Sequence, residues 1–192
     1  MKKRINVFIM LVTLTIPLTS CNAVTSAVNA STVRPTDAFI GKNVGEFSTF
    51  DVFGNEVNQD IFAENDLTMV NVFTTQYPGD EEMSELEELY NKISVQNVGV
   101  IGICLDTRYD SKKIDMDTLS LAKDIYTSTG VTFPYLIPDE NNLNSRLSKI
   151  NTFPETFFVD SEGNFVGGTY IGSDDFEGWS EVVNRELLAL FN

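Results

Sequence analysis

The sequence predicts an α/β fold in which helices flank a central mixed sheet, with a β-hairpin at its N-terminal end. Two long apolar runs, at residues 67–73 and 98–106, are typical of strands that are buried on both faces. Helical apolar spacing follows each run, and this strand–helix order implies parallel pairing through right-handed crossovers. Near the C-terminus, two shorter runs on either side of a glycine turn predict an antiparallel hairpin, which makes the sheet mixed.

The start of the chain has the pattern of a secretory signal. A basic triplet at residues 2–4 precedes an apolar stretch, 5–18, that is short for a membrane span. The sequence Leu-Thr-Ser-Cys that ends at Cys21 resembles a bacterial lipobox. This resemblance implies that a signal peptide of residues 1–20 is removed and that Cys21 is lipidated at the mature N-terminus. An ordinary signal peptide with a chance cysteine is the alternative.

A tether is predicted between the lipid and the globular part. Residues 21–38 are small and polar and lack hydrophobic periodicity, so we expect a flexible segment ahead of a domain at 39–192. A lipid on Cys21 would hold that domain at a membrane surface without spanning the membrane. The predicted location is the bacterial cell envelope, on the outer face of the cytoplasmic membrane, or on the periplasmic side where there are two membranes.

The charge balance is strongly acidic and limits the classes of partner. The chain has 13 basic and 28 acidic residues and a formal net charge of −15 at pH 7. Loss of the basic triplet with the signal would leave 10 basic against 28 acidic residues, a net charge of −18. Such a surface disfavours binding to nucleic acid or to anionic lipid headgroups through charge.

The cysteine count excludes a dithiol cycle within the chain. The sequence has two cysteines, and if Cys21 is lipidated, Cys104 is the remaining thiol and has no partner for an intramolecular disulfide. The sequence also has no histidine, the usual protein ligand of haem and a common ligand of zinc. We therefore expect no cofactor.

The predicted domain begins with the β-hairpin. Apolar residues within 45–57 surround the turn-like sequence at 53–55. After the strand at 67–73, a helix is predicted to begin near Gly79 or Asp80, because acidic residues crowd a first turn in which the helix dipole favours negative charge.

The remaining elements are predicted from the same strand and helix periodicities. They are a helix at 117–128, a strand at 132–137, a helix at 143–150, hairpin strands at 155–160 and 164–170 around a turn at 161–163, and a final helix at 174–191.

This order of elements and three sequence passages resemble the thioredoxin fold in its redoxin branch, which includes TlpA-like and ResA-like extracytoplasmic proteins. Residues 41–62 resemble that branch's opening hairpin, F-x-x-x-D-x-x-G-x-x-V. Residues 70–86 resemble its core V-N-F-W-A-T-W-C-x-x-C-x-x-E-M-P-E-L, and residues 152–163 resemble G-x-P-T-T-F-x-I-D-x-x-G. The passages occur in the expected order and together span residues 41–172, so the resemblance implies a thioredoxin-like fold.

The sequence departs from this branch at the position of the branch's two redox cysteines. Gln76-Tyr77-Pro78-Gly79-Asp80 replaces W-C-x-x-C-x, so both redox cysteines are absent and the loop is one residue shorter. The proline that matches Pro154 is cis in such proteins and faces this loop, where it leaves a backbone edge free for an extended substrate. An X-Pro bond is the one peptide bond for which the cis form costs little, roughly 0.5–1 kcal/mol.

Together these features predict a domain that has lost thiol–disulfide chemistry and binds an extended peptide or a partner protein. A redox-active homologue is one candidate partner, and contact with the membrane would come through the lipid on Cys21. The residues predicted to line the groove are Thr75, Gln76, Tyr77, Pro78 and Gly79 on the loop and Phe153, Pro154 and Glu155 opposite it.

Two other functions remain open from the sequence. Cys104 is a candidate nucleophile for a thiol–disulfide oxidoreductase or a peroxidase that uses an external thiol. Because it lies in a buried apolar strand with no nearby base in sequence, we interpret it as an inert core cysteine. Asp80, Glu81, Glu82 and Glu85 are candidate ligands of a hard cation. The helix dipole explains these acids equally well, so no metal site is predicted.

Overall fold

The computed structural model describes residues 39–77, 80–109 and 113–191. The predicted signal peptide and tether, including Cys21, lie outside the described residues. So do residues 78–79 of the predicted groove, Pro78 and Gly79.

The described residues form nine strands, and three long helices accompany them. In chain order the strands are β1 (Ser48–Phe50), β2 (Glu56–Asn58), β3 (Leu67–Phe73), β4 (Val98–Cys104), β5 (Arg108–Tyr109), β6 (Lys113–Ile114), β7 (Tyr135–Leu136), β8 (Glu155–Asp160) and β9 (Phe165–Ile171). The helices are α1 (Asp80–Ile93), α2 (Met116–Thr129), the single turn α3 (Asn142–Ser145) and α4 (Phe176–Leu190). Short 3₁₀ turns lie at Gln59–Glu64, Ser94–Gln96, Leu105–Thr107 and Leu147–Lys149.

Five of the strands form the central sheet, in the order β7-β4-β3-β8-β9. Strand β3 is parallel to β4, and β4 is parallel to β7. Strand β8 is antiparallel to both β3 and β9. The predicted mixed α/β sheet is therefore confirmed. The predicted bounds of β3 are also confirmed, and all seven of its residues are buried.

The N-terminal hairpin is confirmed as the antiparallel pair β1–β2. Its turn contains Gly54 at a φ of 94°, a left-handed conformation that glycine adopts without steric cost. Strand β1 also bonds to the β7 edge of the sheet, where the N–H of Ile137 donates to the carbonyl of Phe50 at 2.9 Å. At the opposite edge, the N–H of Gly41 donates to the carbonyl of Phe165 in β9, also at 2.9 Å.

Side chains alternate across the two faces of β3. Leu67, Met69 and Phe73 lie in the core cluster that includes residues of α1, α2 and α4, and α1 packs against both other helices. Val70 and Val72 belong to a second cluster on the other face, which the N-terminal segment and two 3₁₀ turns cover. This alternation places Asn71, which lies on the same face as Met69 and Phe73, beneath helix α1.

The long helices begin close to their predicted positions, and acidic side chains cap α2 and α4. Helix α1 begins at Asp80. Asp115 precedes α2, and its carboxylate accepts a 2.8 Å hydrogen bond from the N–H of Thr118. Asp175 caps α4 in the same way, through the N–H of Gly178 at 2.9 Å. Among the described residues, no helix is both long enough and apolar enough to cross a bilayer.

Two predicted elements are shorter than expected. Strand β4 ends at Cys104 instead of 106, because the chain turns into the 3₁₀ turn Leu105–Thr107. Strand β7 has two residues, Tyr135–Leu136, instead of the six predicted at 132–137.

The predicted helix at 143–150 is wrong. The segment Asn142–Ser145 has positive φ at all four residues, from 46° to 69°, and is a left-handed turn. The carboxylate of Asp139 accepts the N–H of Asn141 at 2.8 Å and that of Leu143 at 2.6 Å. These side-chain bonds compete with the bonds of a right-handed helix, and asparagine tolerates the left-handed region. Leu143 is buried in the core, which holds the turn in place.

Candidate functional site

The predicted groove lies at the carboxyl ends of β3 and β4. The last pair between β3 and β8 is Val72 with Glu155, so the loop that follows Phe73 begins beside Pro154. The peptide bond between Phe153 and Pro154 is cis, which confirms the conformation that the resemblance implied.

The loop after β3 is a tight turn fastened to the segment after β4. The N–H of Tyr77 donates to the carbonyl of Thr74 at 3.0 Å. The N–H of Thr75 donates to both carboxylate oxygens of Asp106, at 3.1 and 3.0 Å, and the Thr75 hydroxyl donates to Oδ2 at 2.7 Å. Gln76 and Tyr77, at the tip of the turn, are exposed to solvent, and Tyr77 is 65% exposed. Asp106 therefore fixes the loop while leaving its tip open to a partner.

Cys104 is buried at the end of β4 and is held as a neutral thiol. Its Sγ donates to Oδ1 of Asp106 at 3.3 Å. Burial raises the pKa of the Cys104 thiol well above its usual range, and the charge of Asp106 and this hydrogen bond raise it further. The sequence interpretation of a buried core cysteine is confirmed. The sequence analysis missed the carboxylate two residues away, which stabilises the unreactive form of the thiol.

A buried carboxyl group lies beneath the loop, at Glu82. This residue is 4% exposed, and burial raises its pKa to about 8, although a hydrogen bond from Asn71 opposes the shift. The Asn71 side-chain amide donates to Oε1 of Glu82 at 3.2 Å and to the hydroxyl of Thr156 at 3.1 Å. Glu82 is therefore mostly protonated at neutral pH.

The sequence analysis explained Glu82 as a first-turn acid favoured by the helix dipole and did not foresee its burial. Its spacing could have revealed the burial, because Glu82 precedes Leu86 by four residues and so lies on the apolar face of α1. Asn71 gives the matching signal in β3, because it lies on the same face of the strand as Met69 and Phe73.

The two described acids at the start of α1, Glu82 and Glu85, contact different parts of the fold. Glu82 turns to Asn71, whereas Oε2 of Glu85 accepts the N–H of Phe176 at 3.0 Å, at the start of α4. Within the described part of the chain, no group of three or more His, Cys, Asp or Glu side chains is placed to hold a metal ion.

Glu155 forms a buried ion pair that the sequence analysis did not foresee. Nη2 of Arg146 is 2.7 Å from Oε1 of Glu155, and the two side chains are 4% and 3% exposed. The guanidinium of Arg146 also lies 4.5 Å from the centre of the Phe157 ring. Because Arg146 engages this carboxylate and Glu155 is paired in the sheet with both Val72 and Ile171, Glu155 supports the groove from within and offers it no free side chain.

The backbone beside the cis bond is open. Phe153 is half-buried, and its N–H and C=O form no hydrogen bond with any residue that the structure describes. The next carbonyl, that of Pro154, accepts the N–H of Gly172 at 3.0 Å and so belongs to the sheet. Among the described residues, this donor and this acceptor have no partner, and they lie just before β8 begins, across from the loop with Tyr77.

Comparisons with known proteins agree with this fold. Residues 40–166 match the AhpC/TSA family. A comparison with curated proteins gives no match. Among solved structures, a thiol:disulfide interchange protein of the thioredoxin family from Chlorobium tepidum TLS is similar, with a TM-score of 0.61 at 18% identity, over 79% of this chain and 99% of that chain.

Two other solved structures show the same likeness. A putative thiol:disulfide interchange protein DsbE from Chlorobium tepidum has a TM-score of 0.59 at 14% identity, over 80% of this chain and 98% of that one. StoA from Bacillus subtilis has a TM-score of 0.54 at 18% identity, over 72% of this chain and 96% of that one. At these identities the likeness shows a thioredoxin-like fold and does not show an activity.

Proposed function

The chain belongs to the AhpC/TSA family. We propose that this family member is an envelope protein whose thioredoxin-like domain binds an extended peptide or a partner protein. We further propose that it performs no thiol chemistry. One observation supports this proposal above the others. The loop at the dithiol position has no cysteine, and Cys104, the one thiol in the described residues, is buried and donates to Asp106. A thiol in that state is a poor nucleophile.

The open backbone at Phe153 supports a peptide as the ligand. An extended peptide that pairs with an exposed strand end gains main-chain hydrogen bonds, and neighbouring side chains supply specificity. Phe153 offers the donor and the acceptor, and Tyr77 offers an exposed aromatic ring on the facing loop. Aromatic rings in such positions contribute much of the binding energy of an interface. A redox-active homologue remains one candidate source of the peptide.

The envelope location rests on the N-terminal sequence. The basic start, the short apolar stretch and the lipobox-like residues before Cys21 support secretion and lipidation. Two of the similar structures are named as thiol:disulfide interchange proteins. Disulfides persist in oxidising compartments such as the cell envelope, so these names are consistent with the proposed location.

Site-specific photocrosslinking in cells tests the binding proposal. A crosslinking amino acid in place of Tyr77 should capture a defined partner in the full-length protein. The matched control places it at Val95, which is 87% exposed and lies before β4, at the opposite end of the strands. Capture at neither position, or the same products at both, would contradict the proposal.

Activity assays test the absence of thiol chemistry. The full-length protein should neither reduce insulin nor consume peroxide in the presence of an external thiol, and a Cys104→Ala variant should behave identically. Turnover that requires Cys104 would overturn the proposal and favour an oxidoreductase or a peroxidase.

A further inference from the structure

A cavity of about 580 Å³ lies beside the carboxyl ends of β4 and β7, and no described residue of the Tyr77 loop lines it. Strand β1 and the end of β2 form one wall, and the loop after β7 forms another. Phe47 and Phe50 supply apolar surface, and Arg108 enters from the segment after β4. The volume is in the range of sites that hold small organic ligands.

The Arg108 side chain is a largely buried cation with little neighbouring negative charge to stabilise it. It is 9% exposed, and its Nε is buried without a hydrogen-bond partner among the described residues. Its ion pair with Glu140 is long, at 3.6 Å between Nη1 and Oε1, and the Glu140 side chain is 78% exposed. Removing a charge from water is costly, so buried arginines are normally paired and hydrogen-bonded.

The same protein shows how a structural arginine is paired. Arg146 is more deeply buried, with its side chain 4% exposed, and it lies 2.7 Å from the carboxylate of Glu155, which is itself buried. Arg108 has no comparably close carboxylate partner among the described residues, because the neighbouring carboxylates of Asp139 and Asp106 accept other hydrogen bonds. Asp139 accepts two backbone N–H groups of the left-handed turn, and Asp106 accepts from Thr75 and Cys104.

We propose that this cavity binds an organic carboxylate, either a small organic acid or the C-terminus of a peptide, through a bidentate pair with Arg108. The planar guanidinium matches a carboxylate in geometry, and a ligand carboxylate would supply the buried counter-charge that Glu140 does not. Phe50, which is 38% exposed, offers contact to the apolar part of the ligand. This site is separate from the peptide groove and does not depend on it.

The acids of the cavity wall select against multiply charged anions. Glu46, Asp139 and Glu140 line the cavity together with Arg108. Because one arginine can pair with one carboxylate, each further negative charge on a ligand would add repulsion from these acids without a second cation to offset it. Inorganic phosphate should therefore bind more weakly than a monocarboxylate.

Calorimetric titration of the full-length protein tests the site with four probes. Two are N-acetyl-phenylalanine and acetyl-Ala-Ala-Phe with free carboxylates, and two are the corresponding amides. At least one acid should bind about tenfold or more tightly than its amide, because the amide cannot form the charged bidentate pair. Tighter binding of the tripeptide acid would identify a peptide C-terminus, whereas tighter binding of the acetyl amino acid would identify a small acid.

Three variants connect the binding to Arg108. Arg108→Gln should lower the affinity for the acids about tenfold or more. Arg108→Lys should lower it less, because lysine keeps the positive charge but lacks the paired N–H donors of the guanidinium. Lys149→Gln removes a charge from an exposed residue outside the cavity wall and should bind as the parent does. Arg108→Gln should melt at the same temperature or higher, because it removes an uncompensated buried charge. Equal binding of acids and amides, or unchanged binding by Arg108→Gln, would overturn the proposal.

Discussion

The Thr75 hydroxyl donates a 2.7 Å hydrogen bond to the carboxylate of Asp106, which fastens the loop after β3 to the segment after β4. The same carboxylate accepts from the Thr75 N–H and from the Cys104 thiol. One side chain thus fixes the groove loop and keeps the thiol protonated.

Replacement of Asp106 by asparagine should weaken both effects. We expect Asp106→Asn to lower the free energy of unfolding by about 1–3 kcal/mol, because buried donors lose a charged acceptor. It should also lower the pKa of the Cys104 thiol relative to the parent, because a negative charge beside the thiol is removed. Urea unfolding and the pH dependence of Cys104 alkylation measure the two effects. Asp124→Asn, on the exposed side of α2, is the matched control and should change neither.

The buried Glu82 predicts a specific dependence of stability on pH. Unfolded Glu82 titrates near 4.5, whereas in the folded protein its pKa is raised to about 8, so between these values the unfolded chain releases a proton that the folded protein keeps. The free energy of unfolding should therefore fall as pH rises through this window. At about 1.4 kcal/mol per pKa unit, the total is roughly 4–5 kcal/mol.

Glu82→Gln should remove this contribution. Urea unfolding at several pH values should show that the variant gains stability over the parent as pH rises from about 5 to 9. Glu64→Gln, at an exposed position in the 3₁₀ turn before β3, serves as the control. Parallel curves for the parent and Glu82→Gln would show that Glu82 is not a buried neutral acid.

The Arg146–Glu155 pair should be far more sensitive to substitution than the exposed pairs. Arg146→Met leaves the Glu155 carboxylate buried without its cation and should lower the free energy of unfolding by about 3–5 kcal/mol. Glu88→Ala breaks the exposed pair with Lys92 and should cost less than about 1 kcal/mol. Chemical denaturation measures both. Similar losses for the two variants would mean that Arg146 and Glu155 are solvated in solution.

The proposed lipidation at Cys21 predicts how the protein partitions between membrane and soluble fractions. The parent should sediment with membranes and incorporate a labelled fatty acid, whereas Cys21→Ser should do neither, because a lipid chain supplies the membrane affinity. Cys104→Ser is the control and should retain both properties. A Cys21→Ser protein that still takes up the label would refute the predicted anchor.

Several parts of the fold could be predicted because local signals agree with tertiary structure. The apolar run of β3, interrupted by Thr68 and Asn71, identified that strand to the residue, and the hairpin turn at Gly54 was evident from its sequence. The site is different. The left-handed turn at Asn142–Ser145 depends on bonds to Asp139 and on the burial of Leu143, which no periodicity shows.

The chemistry around the groove depends on residues that are distant in sequence. The acceptor for Thr75 is Asp106, which parallel pairing of β3 and β4 brings near, and Asn71 meets Thr156 only across the sheet. The burial of Arg108 likewise requires β1 and the loop after β7 as walls. Helical and strand periodicity predict the faces of individual elements but not which polar groups meet between them.

The N-terminal segment has a consequence for solubility. It bonds to β9 at Phe165 and, through Val52 just after β1, to β7 at Tyr135, so one short stretch of chain caps backbone on both outer strands of the sheet. Uncapped outer strands are templates for pairing between molecules and for aggregation. A protein crowded on a membrane surface at high local concentration would meet its own copies often. We therefore expect this stretch to reduce edge-to-edge association between copies of the protein.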